Sequence, residues 1–410
     1  MDNITHTLIS VLVGEAAARS TSRSPSAVDS TTRRNLFVTM MGVGSNLPDL
    51  DFIYSTISGS KLDYLLHHRG HTHTLAGIVG IALLLGWSAQ WWLRRRASLA
   101  TRADDLGIWL VAVLAPSLHI AMDAANNYGV HPWWPLHSRW FYGDSIFIIE
   151  PLFWAACAPL VCILRTWIAK VLVALVLIGG AALAVLTQMV PISGIVIYVL
   201  LALILGLVGW KLPARTALAA GIGLWLAVTA SFVLVSSRVH AQMQELNAST
   251  FPNTSLLDVV LTPMPINPLC WEIILVQRDA DLVTLRRAMF ALAPQLLAAD
   301  QCPGRALDRP ITAPLQPVDL ESTAQLQWHG QLSYSRSDLL SLWSEQCQAD
   351  ALMRFARAPW LARLDDAWVL GDLRYDREVE LGFAELTIDP PDEPCPRYLP
   401  RWAAPREDLR

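Results

Sequence analysis

The chain has 410 residues, 53% of them hydrophobic and 16% charged, with a formal net charge of -4. That charge content lies well under the roughly 25% of an ordinary soluble protein, and the mean hydropathy is +0.37. These values exclude a disordered, collagen-like or coiled-coil chain and a strongly basic nucleic-acid binder. They leave an integral membrane protein with a soluble part attached.

In chain order, Ile4–Ala18 and Asn35–Tyr54 are short apolar segments that read as tilted or re-entrant spans. Met1-Asp2-Asn3 lacks the basic start of a cleavable signal, so the first segment is expected to remain. Gly70–Leu93 carries no Asp, Glu, Lys or Arg, and Leu106–Met122 and Ser145–Leu164 follow, the last interrupted by Glu150. Val171–Trp210 is uncharged and long enough for two spans joined at Pro191-Ile192-Ser193-Gly194, and Thr216–Ser237 adds another. The expectation is about eight spans, the first two short.

Basic residues orient the bundle. Alternate loops hold Arg19, Arg23, Arg33 and Arg34, then Arg94, Arg95, Arg96 and Arg102, then Arg165 and Lys170, then Lys211 and Arg215. The intervening loops up to residue 240 hold only Lys61, Arg69, Arg139 and Arg238. The N-terminus and the C-terminal part are therefore expected outside. Residues 241–410 contain no Lys and carry most of the acids, the polarity of a soluble domain. The expected division is 1–155 for membrane-embedded metal-site helices, 156–238 for further transmembrane helices and 239–410 for an extracytoplasmic domain. That domain reads as α+β, with helices at Leu282–Ala299 and Ser337–Arg357 and strands at Ala324–Ser333 and Val379–Ile388. Cys270, Cys302, Cys347 and Cys395 lie in it and suit up to two disulfides of undetermined pairing.

Eight of ten histidines precede residue 138, and together with Asp49, Asp51, Asp123, Asp144 and Glu150 they fall at the outer ends of spans. Ionisable groups there are costly and usually functional. His119-Ile-Ala-Met-Asp123 puts an imidazole and a carboxylate on one helix face, as either a structural pair or two ligands of one ion. His67-His68-Arg69-Gly70-His71-Thr72-His73 is a dense nitrogen donor set, with Arg69 available to an anionic oxygen. Pro48-Asp49-Leu50-Asp51 offers two acids for chelation or a helix cap. His6 gains weight only by lying on the same side. The loop from His131 to Tyr142 is an aromatic belt or a wall of the site that presents Arg139.

The order Met1-Asp2-x-x-Thr5-His6, Pro48-Asp49-x-Asp51, His68-Arg69-Gly70-x-Thr72-His73 and His119-x-x-x-Asp123 with Tyr128-Gly129 resembles the YdjM-like family of inner-membrane proteins, described as metal-dependent hydrolases. The resemblance implies a bacterial inner-membrane location. It also implies His68 and His73 as ligands and leaves His67 and His71 outside the ligand set. The order is similar too to zinc-dependent phospholipase C and P1-type nucleases, but their second His-x-x-x-Asp/Glu is missing here. The ligand set expected is His6, Asp49, His68, His73, His119 and Asp123 around one or two divalent ions, most simply zinc. Asp51 is expected as general base or bridging ligand, with Arg69 and Arg139 on developing negative charge. The function this suggests is hydrolysis of a phosphoester or lipid-linked substrate at the outer membrane face. Membrane lipids are the expected partners, nucleic acid is not, and the oligomeric state stays open. The alternative is a metal-binding or metal-transport protein without catalysis.

Overall fold

The computed structural model describes residues 1–20, 28–96, 101–303, 315–364, 366–375 and 381–410. Arg23 therefore lies outside the described residues, as does the start of the segment Val379–Ile388. The first half is helical: α1 (Asn3–Ser20), α2 (Ser30–Gly44), α3 (Phe52–Ser58), α4 (Lys61–His67), α5 (Leu75–Arg96), α6 (Arg102–Ala124), α7 (Pro151–Ala156), α8 (Leu160–Ile163), α9 (Trp167–Thr187), α10 (Ile192–Lys211) and α11 (Ala214–Thr250). Among the described residues, five helices (α5, α6, α9, α10 and α11) are long and apolar enough to cross a membrane. This differs from the eight segments expected. The helices α1 and α2 are short, and α2 carries Arg33 and Arg34. The segment Ser145–Leu164 is two short helices, broken where Pro159 has no N–H to give.

Local chemistry explains where the helices begin. Asp29 accepts from the Thr31 and Thr32 amides to start α2. Thr101 and Asp104 form a reciprocal capping box at α6, and Thr166 caps α9. Helices α9 and α10 expose Leu172, Leu175, Ile178, Leu200, Leu203 and Leu207, an outward apolar surface suited to lipid. The helix α6 is instead central, with Ile108, Val111, Ala112 and Ala115 buried.

The helix ends sort into two groups. At one end Arg34 bonds Glu15 through Nε (2.8 Å) and Nη2 (2.5 Å), and its Nη2 lies 3.4 Å from the Ile163 carbonyl oxygen. There too Arg215 donates to the Arg19 carbonyl at 2.5 Å. The start of α1, the turn after α2, the turn before α5 and the end of α6 meet at the other end.

The C-terminal region holds antiparallel sheets. Strands β1 (Ser255–Met264), β2 (Asn267–Asp279), β3 (Leu282–Ala291) and β4 (Leu326–Ser335) form a meander in that order. Strands β5 (Pro359–Leu364), β6 (Ala367–Asp372) and β7 (Glu385–Asp389) form a second sheet, and α12 (Arg336–Glu345) and α13 (Cys347–Met353) lie between the two. The expected helix at Leu282–Ala299 is thus strand β3 and the loop after it. Its buried positions run on both faces, so no period-2 alternation shows in the sequence. Disulfides join Cys270 to Cys302 and Cys347 to Cys395.

One hydrophobic core runs without interruption from Leu8, Ile9 and Leu12 through Phe232 to Val259, Ile273 and Leu275, so the meander rests on the helices. A second core joins Leu62, Leu65, Leu66 and Tyr128 to the β5–β7 sheet. Buried ion pairs reinforce that junction. Arg357 forks onto Asp144 (2.7 and 2.8 Å) and onto Asp258 (2.8 and 3.1 Å). Arg374 bonds Asp372 and donates to the Asn127 (2.6 Å) and Tyr128 (3.3 Å) carbonyls.

Candidate metal centre

The Pro48–Asp51 segment is a single 3-10 turn after α2, and His71–His73 is another before α5. Between them Arg69 adopts φ +59°, a left-handed conformation that costs a non-glycine residue about 1–3 kcal/mol. Gly70 follows because a Cβ there would lie 2.7 Å from the His67 carbonyl oxygen. This bend points the Arg69 amide at Asp51 Oδ2 (2.9 Å) and its guanidinium into the bundle.

Four ligand atoms converge there: His73 Nε2, His119 Nε2, Asp49 Oδ1 and Asp123 Oδ2. His73 Nε2 lies 3.3 Å from each carboxylate oxygen, and His119 Nε2 lies 3.5 Å from Asp49 Oδ1 and 3.3 Å from Asp123 Oδ2. The two Nε2 atoms are 3.0 Å apart. Ligands at 2.0–2.1 Å from a tetrahedral zinc would lie roughly 3.3–3.4 Å from one another, close to these separations. All four residues are buried.

The opposite ring nitrogens fix the tautomers. His119 Nδ1 donates to the Ser45 carbonyl (2.5 Å), and His73 Nδ1 faces Asp51 Oδ2 at 3.2 Å. Both Nε2 atoms then turn lone pairs inward, where Asp123 Oδ2 is itself buried without a hydrogen bond. Four lone pairs facing one point without a donor suit a cation. Carboxylate or carbonyl support behind each imidazole is the usual outer arrangement of a metal site.

The other expected residues take different positions. Asp51 accepts from the Arg69 amide, the Thr72 hydroxyl (2.9 Å) and, through Oδ1, His68 Nδ1 (3.1 Å), so it positions imidazoles. Burial would raise its carboxyl, yet His68 and His73 hold it well below the ordinary range. His68 is absent from the four-atom group and forms an adjoining group with Asp49 and Asp51, Asp49 being common to both. His6 stacks on His119 (centroids 3.7 Å apart) and places Nε2 3.2 Å from Asp123 Oδ1. That same oxygen meets the Met1 amino group and Arg69 Nη2 (3.0 Å). Arg69 is only 2% exposed and also donates to Asn126 Oδ1 (2.9 Å), so it braces Asp123. Arg139 is exposed on its loop, and no bond from it to the cluster is found among the described residues.

The sequence reading missed Ser45, Asn126 and Thr72. Ser45 acts through its carbonyl, which carries no side-chain signal, whereas Asn126 lies one turn past Asp123 and Thr72 stands within the histidine loop. The reading also missed how far the C-terminal region reaches. Trp402 stacks on His131 (4.0 Å) and donates to the Leu66 carbonyl (2.9 Å), Tyr398 stacks on His67 (5.7 Å), and Phe383 packs against Tyr64 (5.5 Å). Burial between Trp140 and Trp402 pushes His131 down to about 3.

Residues 1–193 match the family described as YdjM inner membrane protein. A protein of Bacillus subtilis (strain 168), described as uncharacterized protein YfhP, is 28% identical over 108 residues, covering 26% of this chain. The match spans only 30% of the length of that relative. No solved structure matches.

Proposed function

We propose that this chain, a member of the YdjM inner membrane protein family over residues 1–193, is a membrane-embedded metal-dependent hydrolase that works at the outer face of the membrane. The convergence of His73, His119, Asp49 and Asp123 without a donor among them carries the reading. A divalent cation of the zinc type, when bound, supplies Lewis-acid polarisation and acidifies water near neutral pH. The chain does the rest. Asp51 and the Ser45 carbonyl hold the two imidazoles at the tautomer that binds. Arg69, itself held by Asn126, and His6 hold Asp123. His68, with Nδ1 on Asp51 and its side chain 16% exposed, keeps Nε2 to accept a proton from attacking water. Asp49 and Asp51 with His68 are the place for a second ion in a two-ion form.

A phosphoester or lipid-linked substrate follows from a site at the end of a helix bundle, at headgroup depth. We read α1, α2 and the broken pair α7–α8 as crossing as well, because their ends gather with those of the long helices. The non-catalytic transport alternative would need ionisable groups along α9 and α10, and their interiors carry none. The test is metal analysis of protein purified in detergent, with hydrolysis of bis(4-nitrophenyl) phosphate before and after chelation. Bound zinc and chelator-sensitive hydrolysis are expected, both lost in the His73→Ala, His119→Ala double variant. Equal metal content in that variant would overturn the ligand assignment.

A further inference from the structure

At the end of the bundle opposite the metal-ligand cluster, α1, α2, α8 and α11 leave a cleft of about 510 Å³. Arg19, Arg34, Arg165 and Arg215 line it, with Ser30 and Thr31. Among the described residues one buried acid faces them. Glu15, 1% exposed, takes Arg34 in a two-point fork and Arg19 Nη2 at 3.2 Å. The α2 N-terminus is already satisfied by Asp29 and offers no anion site of its own. Among the described residues the cleft thus gathers four guanidinium groups against one buried carboxylate, with the exposed Asp29 at the α2 N-terminus, and like charges held this close favour a further anion.

The cleft also lies at a recognisable depth. Trp167 and Trp210, 72% and 68% exposed, stand at the start of α9 and the end of α10, two residues after Arg165 and five before Arg215. Exposed tryptophans beside Lys170 and Lys211 mark a membrane–water interface. Arginine forks match phosphate oxygens in two-point geometry, and basic pockets between membrane helices suit lipid head groups. The volume is that of an ordinary ligand pocket.

We propose that this cleft binds the phosphate group of an anionic phospholipid. Arg165 and Arg215 make the outer contacts, and Arg34, braced by Glu15, closes the back. The site is separate from the metal centre and does not rest on its chemistry.

Thermal unfolding of the full chain in detergent, titrated separately with phosphatidylglycerol, phosphatidylcholine and inorganic phosphate, tests this. Phosphatidylglycerol is expected to raise the Tm in a saturable way, while phosphatidylcholine does not. Replacing both outer arginines (Arg165→Gln with Arg215→Gln) should weaken the phosphatidylglycerol response about 30-fold, at roughly tenfold or less per arginine. That variant should keep its metal content and its Arg34–Glu15 fork; its lipid-free Tm falls modestly because Arg215 gives up its bond to the Arg19 carbonyl, so each lipid response is read as the shift from that protein's own lipid-free Tm. The Arg→Lys pair at the same two positions should retain most of the response. Protection by inorganic phosphate at matching concentration would keep the phosphate site but overturn the lipid as its source. Equal phosphatidylglycerol responses in wild type and the Gln variant would overturn the site altogether.

Discussion

Two sets of buried charges in this molecule obey opposite rules. Around Arg357, every acid has a guanidinium: Asp144 and Asp258 are both forked, and Arg374 answers Asp372. Around His73 and His119, acceptors meet acceptors, and Asp123 Oδ2 has no donor at all. The first set is complete as it stands and ties the C-terminal sheets to the helices. The second is a group that could hold a cation. The contrast separates buried charge that serves architecture from buried charge arranged so that it could hold a metal ion.

Substitutions can break this contrast. The largest effect belongs to His119→Ala, which removes one of four ligands and should abolish stoichiometric metal in the purified protein. The fold measured by circular dichroism should persist. Metal retained at the wild-type level would place the cation elsewhere. Next, Arg357→Met leaves Asp144 buried without its guanidinium and Asp258 with only Arg406, and should cost about 3–5 kcal/mol. Denaturant unfolding of the metal-loaded protein measures this, and an unchanged midpoint would show that the network is not structural.

Smaller changes sharpen the contrast. Asp51→Asn keeps the shape but loses the charge that orients His73, and metal affinity should fall about 10–100-fold in competition with a chromogenic chelator. An unchanged affinity would remove Asp51 from the support of the site. Asp258 gives a pH signature. Burial would raise its carboxyl, but Arg357 and Arg406 hold it down at about 2, against about 3.9 in the unfolded chain. Its stabilisation, about 2–3 kcal/mol, is complete above the unfolded value and lost as pH falls through the folded one. Asp258→Asn should flatten that part of the acid unfolding curve, and an identical curve would contradict the pairing. Arg139→Gln should alter neither metal content nor stability, and a loss of either would bring the exposed loop back into the site.

Much of the metal centre was legible because its residues come in short, periodic patterns. His119 and Asp123 share a helix face at i and i+4, and Asp49 stands two before Asp51 in a turn that opens with Pro48. What stayed hidden is what depends on the chain returning from afar. No local spacing reveals that Asp51 reaches His68 and His73, or that a carbonyl at Ser45 fixes His119. The fold divided similarly. Uncharged runs announced α5, α6, α9, α10 and α11, whereas β3, buried on both faces and rich in Leu, Arg and Ala, carries no alternation to set it apart from a helix.

The 37 residues of α11 run without a break from Ala214 to Thr250. At 1.5 Å per residue that is about 55 Å, against a hydrocarbon thickness of about 30 Å. The surplus makes α11 a mast: Gln277 of β2 donates to Asn247 in its last turns (2.5 Å), so the meander is mounted on the protruding part. The height of the meander is therefore set by a rigid rod, and the core that runs from α1 through Phe232 into β1 and β2 fixes the sheet to that rod.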